Sequence, residues 1–250
     1  MQSTVIHLDG TTYHLESEGV VLRDFVVESP QYETELQTVA GGIGAADLGT
    51  TIDTRPITAS YYVKADDNLE DFTRRRDFVF NAFRSRLPFY IIDGRQRDKR
   101  WRVKVNGGFA LDQQYKYGFF EVPLIALDGV SETINVVSRR FDTATFDYDN
   151  GGTVEIDPRQ QSETAITFAG ASDGLTLINH TTGDEWAYNG QTVAGDEIEL
   201  RGVRSLKNGA SIFRDTNKRV ITFAPGRNEI EVVGATGEFE IEISTRFYFL

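Results

Sequence analysis

"DDNLEDFTRRRDFVFNAFRSRLPFYIIDGRQRDKRWRVKV", from Asp66 to Val105, carries two periods in succession. In its first half Leu69, Phe72, Val79, Phe83 and Leu87 recur at helical spacing, and Phe80 widens the stripe. Asp67 with Glu70 three residues later fits a helix start, and Pro88 fits its stop, so the pattern predicts a helix over 67–87. Arg74, Arg75, Arg84 and Arg86 fall on the opposite side, the last two near the negative end of the helix dipole. Beyond Pro88 the period drops to two. Trp101, Val103 and Val105 alternate with Arg102 and Lys104, the signature of a half-buried strand.

Working outward, almost everything else reads as strand. "STVIHLDGTTYHL" is two short strands around an Asp9-Gly10 turn. "GVVLRDFVVES" follows, with Val21, Phe25 and Val27 on one face. "TRPITASYYVKA" alternates at Ile57, Ala59, Tyr61 and Val63, and "YKYGFFEVPLIALDG" supplies another strand, where Pro123 suggests an edge or a bulge. From about Phe141 the rhythm changes to short strands at close spacing, with turns at Thr182-Gly183-Asp184 and Asn208-Gly209, as in an antiparallel sandwich. The expected organisation is mainly β. A first domain over 1–139 is β-sandwich-like with one amphipathic helix, and a second, over 140–250, is an antiparallel β-sandwich.

Residues 29–52 stand apart. "SPQYETELQTVAGGIGAADLGTTI" has a Gly-rich centre, Gly41-Gly42-Ile43-Gly44, and little regular periodicity. A connection that long inside a compact domain is uncommon and usually functional. It reads as an extended arm or hairpin, or as a mobile surface loop.

Composition removes several classes of chemistry. The chain has 250 residues and no Cys, which excludes disulfides, thiol catalysis and Cys-containing zinc sites. No apolar run approaches the ~20 residues of a membrane helix. "MQSTVIHLDG" lacks the regions of a signal peptide, so a soluble protein with no membrane insertion is expected. His7 and His14 sit across a hairpin, but no third metal ligand accompanies them. "DYDNGG" (147–152) lacks EF-hand spacing and reads as a turn. "GGIGAADLG" is not bracketed by strand and helix as a dinucleotide fingerprint requires, and no P-loop or G-x-S-x-G is present. No enzyme and no cofactor are expected. Trp186 and Tyr188 lie two apart, hence on one face of a strand; they are either a platform for a sugar or two core rings.

Charge is uneven. The net is -12, with -3 in residues 1–140 and -9 in 141–250, so the second half would repel phosphate. Residues 64–104 carry a local +5 and residues 1–63 a local -7. With Trp101 facing the core, the basic hairpin lacks the exposed ring that a single-strand binder uses, and specific nucleic-acid binding is not expected. The cluster of Arg74, Arg75, Arg84 and Arg102 is a candidate subunit contact or else a solvated face.

The order of these segments resembles the distal tail proteins of long-tailed siphophages, particularly those infecting Gram-positive bacteria. The resemblance rests on "R-x-I" at Arg55 and Ile57 before the helix, and on Phe89, Asp93, Arg100 and Trp101 in the hairpin after it. It rests also on an ending that matches at Gly226, Asn228, Ile230, Phe239, Ile241 and Tyr248. It implies a tail-tip hub in the virion, made in the host cytoplasm: a homo-hexameric ring, single or as two stacked rings, with a channel for DNA. The ring would join the tail tube protein to a tail-associated fibre or baseplate protein. The first domain would form the ring, with Gly41 and Gly42 of the arm at its contacts, and the second would be galectin-like or carbohydrate-module-like. The alternative is a carbohydrate-binding module that recognises the host wall through Trp186 and Tyr188.

Overall fold

The computed structural model describes residues 2–38, 40–66 and 69–250. The chain divides into two compact units, residues 1–131 with Leu250, and residues 132–249. The division expected after 139 is therefore eight residues late. The reason is strand Val137–Phe141, which already pairs antiparallel with the long strand Gly226–Thr245 of the second unit.

The first unit contains β1 (Ser3–His7), β2 (Thr12–His14), a 3-10 turn (Leu15–Glu18), β3 (Val20–Val27), β4 (Tyr32–Thr38), β5 (Ala45–Ile52) and β6 (Arg55–Lys64). Helix α1 (Leu69–Ala82) follows, then β7 (Phe89–Asp93), β8 (Lys99–Val105), β9 (Asp112–Gln114) and β10 (Tyr117–Thr133). The main sheet has the order β2-β1-β7-β8-β10-β6-β3. β6 and β10 pair without interruption from Tyr117 opposite Lys64 to Ala126 opposite Arg55. Ile57, Ala59, Tyr61 and Val63 of β6 and Phe120, Val122 and Leu124 of β10 turn inward, as a period of two requires.

Helix α1 covers this face with Phe72, Val79 and Ala82, and Phe83 just beyond it is buried too. The Tyr61 ring stacks on Phe120 at 5.2 Å, and Phe83 meets Phe89 edge-on at 6.3 Å. The helix ends at Ala82, five residues before Leu87, because β1 supplies a cap. His7 Nε2 donates to the Ala82 carbonyl at 2.9 Å, satisfying an oxygen the helix leaves open. Leu87 and Phe80, expected on the buried stripe, are 67% and 43% exposed. Arg84 and Arg86 lie past the helix end rather than within its last turn. The expected start at Asp67 lies outside the described residues.

Two strand readings are also corrected. In β3 Val20, Leu22 and Phe25 are buried and Val27 packs against the core, so the expected face holds at Phe25 and Val27 but fails at Val21. A bulge between Leu22 and Asp24 inserts one residue and switches the inward parity. Pro123 is at neither a sheet edge nor a break in the β6 pairing; β10 lies between β8 and β6. The Pro123 carbonyl accepts from Asn106 N, one residue beyond β8, at 2.8 Å. The missing N–H faces the same side, where β8 has already run out, so no β6 bond is lost.

The second unit contains β11 (Val137–Phe141), β12 (Thr145–Asn150), β13 (Ala165–Asn179), β14 (Asp184–Ala187), β15 (Gln191–Thr192), β16 (Glu197–Arg201), β17 (Arg204–Lys207), β18 (Ala210–Ser211), β19 (Gly226–Thr245) and β20 (Tyr248–Phe249). Its sheet order is β11-β19-β13-β16-β17-β18. The long strands β13 and β19 pair along most of their length, with register shifts at Gly170–Ser172 and Ser172–Thr176. Before the shifts β13 pairs with β16; after them it pairs with β14. The bulges thus let one long pair serve both layers of a sandwich. Gly234 allows the close approach: its φ is +87°, and a Cβ there would lie 2.5 Å from the Gly174 carbonyl oxygen.

Trp101 is buried in the first unit and Trp186 in the second, so each unit has its own fluorescent reporter. Phe89→Ala empties a fully buried ring site and should destabilise the first unit by about 3–5 kcal/mol. Gly234→Ala should cost the second unit at least about 1–2 kcal/mol. Urea titrations followed by tryptophan emission, with the other tryptophan changed to Phe, read each effect.

Candidate assembly interface

β4 and β5 form a two-stranded antiparallel hairpin that pairs with no other described strand, and every described residue of it is exposed. The 29–52 excursion is therefore an arm rather than an irregular loop. Its tip turns at Gly41 and Gly44, with φ of +81° and +83°, values that glycine adopts freely. Gly42 and Ile43 lie between them, and Ile43 is fully exposed.

Cross-strand partners share a face, so the register sorts the arm's side chains. Tyr32 opposes Ile52, Thr34 opposes Thr50 and Leu36 opposes Asp47 on one face. Thr34 and Thr50 hydroxyls are 3.0 Å apart. The other face carries Glu33 and Glu35, with Gly49 opposite the latter. A bulge between Glu35 and Leu36 displaces Leu48, which is also exposed. The ribbon is amphipathic, yet neither face is covered. Between Glu28 and Thr54 the arm and its roots hold five acids and no base.

The root is rigid. Glu28 N donates to the Pro56 carbonyl at 3.1 Å and Asp53 N to the Gln31 carbonyl at 2.9 Å. Arg55, the arginine of "R-x-I", donates from Nε to the Glu28 carbonyl and lays its guanidinium over the Trp101 ring, 5.5 Å from the centroid. Burial lowers the Arg55 pKa from its ordinary value. Sequence reasoning singled out Arg55 and Trp101 as a pattern but missed that they meet. The signal was a basic residue directly beside the arm, in register to reach the inward tryptophan.

The arginines marked in the sequence are engaged within their own chain. Arg74 pairs with Glu18 at 2.7 Å and Asp71 at 3.0 Å. Arg75 pairs with Asp71 at 2.7 Å and Asp66 at 3.2 Å, and donates to the Glu18 carbonyl. Gly19 makes room for it, since a Cβ there would lie 2.5 Å from the Arg75 guanidinium. Arg84 pairs with Asp9 at 2.8 Å, and Arg102 with Asp128 at 3.2 Å. These contacts tie the helix to the 3-10 turn and to the β1–β2 turn. The +5 of residues 64–104 is thus largely met by acids of the same fold.

Trp186 and Tyr188 share a face, and that face is inward: they are 1% and 8% exposed. Trp186 Nε1 donates to Ser205 Oγ at 3.2 Å. Neither ring offers a surface on which a sugar could stack. The Asp147–Gly152 stretch, expected as a turn, is instead strand β12 as far as Asn150, paired with β19; Asn150 is buried and donates to the Val154 and Phe223 carbonyls at 3.0 and 3.1 Å. Among the described residues no cluster of three His, Asp or Glu side chains is arranged to hold a metal.

Residues 8–126 match the family of the phage tail protein RIFT-related domain. The matched stretch lies within the first unit. End to end, the fold is similar to that of the Dit (gp 19.1) protein of phage SPP1, whose crystal structure matches over 98% of this chain and 99% of that one, with a TM-score of 0.73 at 14% identity. That protein belongs to a hub adsorption apparatus of phages infecting Gram-positive bacteria. A chain of the phage p2 baseplate in its activated conformation aligns over 96% of this chain and 97% of that one, at 12% identity and a TM-score of 0.46. No curated protein matches the sequence.

The helix network gives a pH prediction. A hydrogen bond from Asp66 N, then those from Arg75 and Arg74, hold the Asp71 carboxyl at about 2, below its ordinary 3.8. A depressed carboxylate pKa stabilises the fold above the unfolded value and ceases to as pH falls through the folded one. First-unit stability should therefore drop between about pH 4 and pH 2. Asp71→Asn should be less stable at pH 7 and should flatten that part of the profile, read by Trp101 emission in urea.

Proposed function

We propose that this chain is a structural hub at the distal end of a phage tail. Six copies close into a ring through the first unit, joining the tail tube to a baseplate or fibre protein around a channel for DNA. The observation that carries the reading is the arm: an amphipathic hairpin with both faces bare, set on a hydrogen-bonded root, in a stretch that matches a phage tail protein family. An isolated two-stranded ribbon is marginal in water, so its apolar face calls for a partner surface. The end-to-end likeness to a hub protein supports the same placement.

The ring contact is assigned to the arm with Gly41 and Gly42 at its tip. Arg74, Arg75, Arg84 and Arg102 hold the first unit together and serve the ring by keeping its shape. The second unit is a docking platform for other tail proteins; with Trp186 and Tyr188 in its core, nothing favours the sugar-module reading.

Sedimentation velocity of the purified chain at micromolar concentration should give hexamers or pairs of hexamers, and negative-stain images should show rings. Replacing residues 32–52 by a short Gly-Ser turn should leave far-UV dichroism of the rest intact and abolish the rings. A parent chain that remains monomeric at every concentration, and does not assemble onto tail tubes, sinks the reading.

A further inference from the structure

Leu8, Asp9, Arg84, Arg86, Leu87 and Pro88, with His7 beneath, line a surface depression of about 290 Å³. It lies where α1 gives way to β7 and beside the β1–β2 turn. Two features mark it as unfinished. Leu8 and Leu87 are 55% and 67% exposed on its walls, although Leu87 continues the apolar spacing of the helix. Arg84 is paired with Asp9, but Arg86 is exposed and has no ion pair among the described residues.

The arm bears the complementary set. Ile43 projects fully exposed from the tip, and Leu36 shares its face with Asp47 a few residues back. Asp47 Oδ1 accepts from Gly49 N at 2.9 Å, and the carboxylate has no cation partner among the described residues. Strands of this length reach about 23 Å at ~3.3 Å per residue, enough to cross onto a neighbour.

We propose that the arm tip of one copy seats in this depression of the next, with Ile43 between Leu8 and Leu87 and Asp47 against Arg86. This deepens the ring reading and rests on it. A knob and a depression are different patches, so the contact is head-to-tail, the kind that closes a ring rather than a two-fold dimer. The apolar anchor supplies the affinity and the charge pair sets register. The capped helix end makes the receptor rigid: because His7 holds the Ala82 carbonyl, the segment carrying Arg86 and Leu87 leaves the helix and frames the depression.

The chain has no cysteine, so introduced ones report a single contact. The double variant Ile43→Cys/Leu87→Cys, oxidised as the full chain, should give a non-reducing ladder ending at the closed ring. Mixing the two single variants should give covalent pairs. Independently, Asp47→Arg and Arg86→Asp should each move half-assembly to about tenfold higher concentration, and the two together should restore it. Rings without the 43–87 cross-link, or a swap that fails to restore assembly, overturn this contact while leaving the ring. A cross-linked monomer also overturns it, by showing the arm folded onto its own depression. A parent chain that never assembles overturns both contact and ring.

Discussion

The first unit depends on one packing constraint: a single short helix must cover the face made by β6, β10 and β7. Phe72, Val79 and Phe83 meet Tyr61, Phe120 and Phe89, and a ring lost from that layer leaves a void the sheet cannot close. The constraint fixes where the helix stops. His7 reaches up from β1 to the last helical carbonyl, and the chain then turns into β7 through Arg84–Pro88. The depression is a by-product of that stop, lined by residues that a longer helix would have carried elsewhere.

The same unit shows two uses of arginine. On the helix, Arg74 and Arg75 sit among Asp71, Asp66 and Glu18, and their charge is spent inside the fold. At the arm's root, Arg55 uses a carbonyl and an aromatic face instead, which aims the hairpin without needing an acid. A stiff root lowers the ordering entropy that a partner must overcome to hold the arm.

How much was legible in the sequence follows from what each pattern encodes. Alternation in β6 and β8 gave strands and their buried faces, because side-chain parity is local. Parity in β3 failed at one bulge, which no composition announces. The helix period ran on to Leu87 because an apolar residue for a docking wall looks the same as one for a core. For Trp186 and Tyr188, spacing decided that they share a face but not which way it points; that depends on the sheet packed over them. The arm was visible as a Gly-rich excursion, while its amphipathic faces were hidden by the bulge at Leu48 and by the need to know the cross-strand register. Charge sums located the arginines but could not say that their partners lay in the same chain, since Glu18 and Asp9 are far from them in sequence.

The central claim is that the bare arm is completed by a second copy. Hydrogen exchange read by peptide mass, with protein concentration as the variable, tests it most directly. If the account is right, amides of residues 32–52 exchange freely at low concentration and become protected together as rings form, along with peptides spanning Leu8 and Arg86. Rings that form while the arm's exchange stays unchanged would contradict it.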